Sequence, residues 1–210
     1  MISGQEILIF ADYLAVAVFA VSGALVASRK QMDLFGFAML GTVTGIGGGS
    51  TRDVLLGRLP VFWIDTPIYV LICVATASIT FFAAHRIGSR YQVMLWFDAL
   101  GLSLFCVTGA QTALAAGVHP IVAVIMGIIT GTFGGIIRDV LGGEISLLLK
   151  KEIYVTAALA GAATFVLLDS LDAPFVLSAS CGFASCFVIR GLALRFRWSL
   201  PPYKSRPGRP

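Results

Sequence analysis

The sequence predicts an all-α membrane protein of seven transmembrane helices, arranged as two inverted three-helix repeats plus a seventh helix. Three observations predict it. The 210 residues are 58% hydrophobic and only 12% charged, against roughly 25% charged in a typical soluble domain. Seven stretches lack any charged residue or His. The first three spans recur in the next three. A soluble globule of this length needs far more polar surface, and the mean hydropathy of +0.92 excludes a disordered chain.

The spans follow in order. Tyr13–Ser28 has 16 residues, Leu34–Thr51 has 18 and Thr66–Ala84 has 19. Ala99–Val118 has 20, Pro120–Ile137 has 18, Ile153–Leu168 has 16 and Ala173–Ile189 has 17. A helix needs about 20 apolar residues to cross a hydrocarbon core of about 30 Å. Flanking residues such as Ile7–Phe10 supply the difference. Barrel strands would be shorter and would alternate in polarity. Basic residues set the orientation. One side collects Arg29, Lys30, Arg86, Arg90, Lys150, Lys151, Arg195, Arg197, Lys204, Arg206 and Arg209, and the other only Arg58. The positive-inside rule then places the N-terminus outside and the C-terminus in the cytoplasm of a multi-pass cell-membrane protein. Met1–Glu6 carries no Lys or Arg, which argues against a cleaved signal peptide. Residues 201–210 are expected to form a mobile tail, able to meet anionic membrane lipids. Residues 1–200 form one transmembrane domain.

The repeat is direct. Gly41-Thr-Val-Thr-Gly-Ile-Gly-Gly-Gly-Ser-Thr-Arg-Asp-Val-Leu55 matches Gly127-Ile-Ile-Thr-Gly-Thr-Phe-Gly-Gly-Ile-Ile-Arg-Asp-Val-Leu141 at an offset of 86. The same offset carries Asp12 to Asp98, Phe19 to Phe105, Ser22 to Thr108 and Gly23 to Gly109. Ile68-Tyr69-Val70 matches Ile153-Tyr154-Val155 at offset 85, one residue having been lost from a loop. The copies cover about 7–85 and 93–170, and the seventh helix, about 173–196, stands outside them. Three helices are an odd number, so the second copy must enter the membrane from the opposite side. Such inverted repeats build solute paths near the midplane, and Gly-interrupted spans at matching positions point to them.

Gly41, Gly45, Gly127 and Gly131 have the spacing of a small-residue packing seam or of a pore face. Gly47, Gly48 and Gly49, with Gly134 and Gly135, weaken their helices and predict kinks. A kink frees carbonyls that can replace part of a cation's hydration shell. Arg52-Asp53 and Arg138-Asp139 are either end caps or mirrored intramembrane charges. Neighbours on a helix point about 100° apart, so Asp12 is expected to reach Arg52 and Asp98 to reach Arg138. Ser22, Thr44, Ser50, Thr51, Thr108 and Thr130 are candidate lining hydroxyls. Two cations and four anions together would favour cations.

The doubled G-G-x-x-R-D-V-L motif, the seven spans and the outside N-terminus resemble the prokaryotic branch of the trimeric intracellular cation (TRIC) channels. The resemblance covers essentially Ile7–Phe196. It implies a homotrimer with one hourglass pore inside each protomer, passing monovalent cations, chiefly potassium. It places the kinks at Gly47-Gly48-Gly49 and Gly134-Gly135, beside Arg52, Asp53, Arg138 and Asp139. Phe133 stands where the first copy has Gly47, implying a milder second kink. The Lys-Glu-Val pore motif of the animal branch has no match, because Lys151-Glu152-Ile153 falls in a loop. Some bacterial relatives with this domain look like glycine transporters, so a carrier of a small amino acid is the alternative.

Other classes are weak. Cys73, Cys106, Cys181 and Cys186 sit in apolar runs without a C-x-x-C pair, and His85 and His119 lie at span ends without ligand partners. No metal, cofactor or enzyme activity is assigned. Gly-Ile-Gly-Gly-Gly-Ser follows no strand and is not a dinucleotide fingerprint. The basic residues serve topology rather than nucleic acid.

Overall fold

A computed structural model describes residues 4–150 and 153–201. Among them, seven α-helices have 16 residues or more: α1 Gly4–Arg29, α2 Leu34–Leu55, α3 Ile68–Ala83, α4 Arg90–Ala115, α5 Pro120–Leu141, α6 Val155–Ser170 and α7 Phe175–Phe196. Five of them are long and apolar enough to cross a membrane. α6 is apolar but short, and α2 carries the glycine run and the Arg52-Asp53 pair. A short helix, Phe62–Asp65, precedes α3, and a 3₁₀ turn, Leu147–Leu149, precedes α6. The tail expected at 201–210 lies, beyond Pro201, outside the described residues.

Burial is inverted relative to a water-soluble protein. Phe35 is 84% exposed and Ile79 and Phe10 are each 69% exposed, whereas Arg138 and Arg190 are 0% exposed. In water, charged side chains stay outside and a continuous apolar surface associates. In lipid the same arrangement is favourable, because hydrocarbon accepts the aromatic and aliphatic rim and the charges pair inside.

The repeat is visible in the packing. α1 packs on α2 as α4 packs on α5, and α3 on α1 and α2 as α6 on α4 and α5. The two copies meet through α1 against α4 and α2 against α5, and α7 closes over α4 and α6. The rings of Phe19 and Phe105, equivalent residues, lie 5.2 Å apart at the seam. At the second seam Gly48 faces the Thr130 carbonyl and Gly134 faces that of Thr44. Residue numbers rise on one helix as they fall on the other, so α2 and α5 cross antiparallel, as an inverted repeat requires. A Cβ at either glycine would fall onto the opposing backbone oxygen. The two main chains therefore touch, and only glycine permits it.

α2 and α5 are continuous α-helices through both glycine runs. Their glycines thus have a packing role at the crossing, in addition to the weakened turns that sequence reasoning assigns them. The ends of the two helices are duplicated to the bond. Gly57 (φ 67°) and Gly143 (φ 61°) turn the chain in the left-handed region. Arg58 N–H then donates to the Asp53 carbonyl at 2.8 Å, as Glu144 N–H does to that of Asp139 at 2.8 Å.

Candidate functional site: two mirrored charge clusters

Each Arg-Asp pair closes the C-terminal part of its helix and holds the segment that follows. Arg52 Nε and Nη2 donate to Asp53 Oδ1 at 2.9 and 2.8 Å. Asp53 Oδ2 accepts the Phe62 N–H at 3.0 Å, anchoring the short helix, and the Arg52 guanidinium lies 5.7 Å from the Phe62 ring centre. In the second copy Arg138 Nε donates to Asp139 Oδ1 at 2.8 Å, and Asp139 Oδ2 accepts the Leu147 N–H at 2.9 Å. Both devices tie a helix end to the next turn through one carboxylate.

This corrects one expectation. Adjacent residues were expected to point too far apart to pair, yet both arginines bond their neighbouring aspartates. The guanidinium sits at the end of a long flexible stem and presents several donors, so it folds back regardless of the Cβ directions. The Asp98–Arg138 pairing is present at 2.7 Å, with both side chains 0% exposed. The Asp12–Arg52 pairing is not formed. Asp12 Oδ2 instead accepts from the Tyr69 hydroxyl at 3.4 Å, and Oδ1 has no partner.

The candidate hydroxyls divide into two groups. Thr44, Ser50, Thr51 and Thr130 donate to carbonyls four residues earlier, those of Leu40, Ile46, Gly47 and Met126. Such bonds satisfy the hydroxyl within its own helix and favour bending. Ser50 also accepts from Trp63 Nε1 at 2.9 Å. Ser22 and Thr108, equivalent positions, belong to the clusters. Ser22 Oγ accepts from Arg138 Nη1 at 2.9 Å and donates to the Phe19 carbonyl at 2.9 Å. The Thr108 hydroxyl is buried without a partner. Of the remaining glycines, Gly47 faces Ile137 Cδ1, Gly49 faces the Phe62 ring, and Gly135 faces the Tyr154 hydroxyl and Asp98.

Three participants escaped sequence reasoning. Tyr69 and Tyr154, equivalent at offset 85, lie against the two clusters. Arg190 extends beyond Ile189, where the charge-free stretch ends, yet α7 continues to Phe196 and Arg190 is 0% exposed. Its Nη1 donates to the Ile153 carbonyl at 3.1 Å, and its guanidinium lies 5.2 Å from the Tyr154 ring centre. Its signal in the sequence is an isolated Arg followed by further apolar turns.

Comparison with known proteins agrees with this architecture. The family model described as "Glycine transporter" matches twice, at residues 9–85 and 95–170. The chain is 38% identical over 194 residues to the inner membrane protein YadS of Escherichia coli, covering 91% of this chain and 94% of that one. It is 38% identical over 195 residues to the membrane protein YvgT of Bacillus subtilis, covering 90% and 92%. Among solved structures, the TRIC trimeric intracellular cation channel orthologue from Rhodobacter sphaeroides superimposes with a TM-score of 0.90 at 54% identity, over 91% of this chain and 99% of that one. A prokaryotic TRIC channel solved in 0.5 M KCl gives 0.87 at 32% identity, over 93% and 100%. With an antiparallel duplicated core, mirrored Arg-Asp clusters and these likenesses, the chain belongs to the prokaryotic TRIC family of membrane proteins.

Proposed function

We propose that this protein is a cation channel of the cell membrane, chiefly conducting potassium, with one path inside each protomer of a homotrimer. The observation that carries this reading is the antiparallel crossing of α2 and α5, flanked by a buried Arg-Asp cluster from each copy. All seven long helices cross the bilayer, the N-terminus lies outside and the C-terminus lies in the cytoplasm. The path runs between the two copies. Asp12, Asp53, Asp98 and Asp139 outnumber Arg52, Arg138 and Arg190 along it and favour cations. Opening requires the touching main chains at Gly48 and Gly134 to part. Bends at Gly47–Gly49 and Gly134–Gly135 supply that movement and turn carbonyls toward the ion. The likeness to solved TRIC cation channels at 54% and 32% identity supports this reading.

Purified protein in liposomes tests it. Potassium efflux should run down its gradient without saturating at millimolar concentration, and planar-bilayer recording should show unitary currents. Labelled glycine uptake that saturates and follows an ion gradient, without such currents, would overturn the channel in favour of a carrier.

A further inference from the structure

The two clusters are equivalent by sequence but are not in the same state. In the second copy, Asp98 Oδ1 and Ser22 Oγ converge on one cationic group, Arg138 Nη1, at 2.7 and 2.9 Å. The equivalent acceptors in the first copy are Asp12 and Thr108. Arg52, the equivalent of Arg138, hydrogen-bonds Asp53 among the described residues and does not bond this pair. Asp12 Oδ1 and Thr108 Oγ are both buried atoms without a hydrogen-bond partner, and Thr108 is 2% exposed. The Thr108 hydroxyl lies near the Asp12 carboxylate and can act on it as a donor, without forming a well-aligned bond to it. A buried carboxylate whose neighbours are hydroxyls and which bonds no cation is costly unless something cationic joins it.

The charge count indicates what that group is. In the second copy the carboxylates of Asp98 and Asp139 are balanced by Arg138 and by Arg190, which acts on Asp98 from α7. α7 lies outside the repeat, so the first copy has no counterpart to Arg190. There, among the described residues, Arg52 is the buried arginine beside Asp12 and Asp53, and Arg58 at the same end is solvent-exposed. One positive charge is missing. A divalent ion would exceed this deficit and ordinarily draws several carboxylates. A single alkali cation matches it and accepts neutral oxygen ligands.

We infer that Asp12 and Thr108, with the Tyr69 hydroxyl beside them, form a binding seat for one monovalent cation. It is the mirror image of the seat that Arg138 fills permanently in the other half. Arg52 is long enough to swing toward it, so protein cation and mobile cation compete for one place. The inference rests on the cation-path reading for what reaches the seat, but its test reads binding rather than flux.

The test is thermal unfolding of the full-length protein in detergent, exchanging choline chloride for potassium chloride at constant ionic strength. Full exchange to about 0.3 M potassium should raise the wild-type midpoint by about 5 °C. Asp12→Asn should abolish the potassium dependence and Thr108→Val should remove most of it. Asp65→Asn, which alters an exposed carboxylate outside the cluster, should retain it. A wild-type midpoint indifferent to potassium, a shift retained by Asp12→Asn and Thr108→Val, or a shift given by glycine but not by potassium each overturns the seat. Should Asp12→Asn fail to fold, Thr108→Val decides. Potassium conduction by a protein whose midpoint ignores potassium defeats the seat and leaves the channel standing. A potassium shift lost in Thr108→Val, with no flux in liposomes, defeats the channel and keeps the seat.

Discussion

Arg138 is the residue on which the interior depends most. Its guanidinium bonds Asp98, Asp139 and Ser22, and none of the charged side chains involved is more than 2% exposed. Removing one member of a buried ion pair strands its partners and typically costs about 3–5 kcal/mol. Arg138→Ala is therefore expected to lower the unfolding midpoint in detergent sharply. Arg52→Ala should cost less, because Arg52 bridges only its neighbour Asp53 whereas Arg138 joins two helices. Equal losses from the two substitutions would show that the asymmetry between the clusters has no energetic consequence.

At the scale of the helix, the glycine runs combine two roles that substitution can separate. At Gly48 and Gly134 any side chain meets a backbone oxygen of the opposing helix. Gly48→Leu with Gly134→Leu should force α2 and α5 apart and abolish flux through lost packing as much as through lost bending. Gly47 differs, because a Cβ there crowds Ile137 Cδ1, the mobile end of a side chain, at 2.9 Å and meets the Gly134 backbone only at an ordinary 3.7 Å. Gly47→Ala should leave the fold intact while stiffening the helix by about 1 kcal/mol. A reduced potassium flux from folded Gly47→Ala supports bending as part of conduction. Unchanged flux assigns the glycines to packing alone.

At the scale of the whole molecule, the charge distribution bears on how it sits in the bilayer. With eleven basic residues on one side against one on the other, the positive-inside rule leads us to propose that the C-terminal end is cytoplasmic. A single introduced thiol, Ser199→Cys, should react with a membrane-impermeant maleimide only after the cells are permeabilised. Labelling in intact cells would reverse the assignment. Of the native thiols, Cys73, Cys106 and Cys186 are buried, and the half-buried Cys181 is first replaced by Ser.

Much of this architecture is legible in the chain itself. Charge-free stretches mark helices because each charge costs several kcal/mol in hydrocarbon, and an 86-residue offset over an odd number of helices dictates inversion before any coordinate is known. Asp98 reaches Arg138 as helix positions suggest, because both lie on faces that the repeat turns inward. Tertiary structure alone decided that each arginine folds onto its neighbouring aspartate, that the glycines bring two main chains into contact, and that Arg190 of α7 lies against Tyr154 beside the second cluster. Sequence periodicity fixes where a side chain starts. Where its charged end finishes depends on a long flexible stem and on which partners packing brings within about 3 Å. That is why two nearly identical motifs can hold their charges differently.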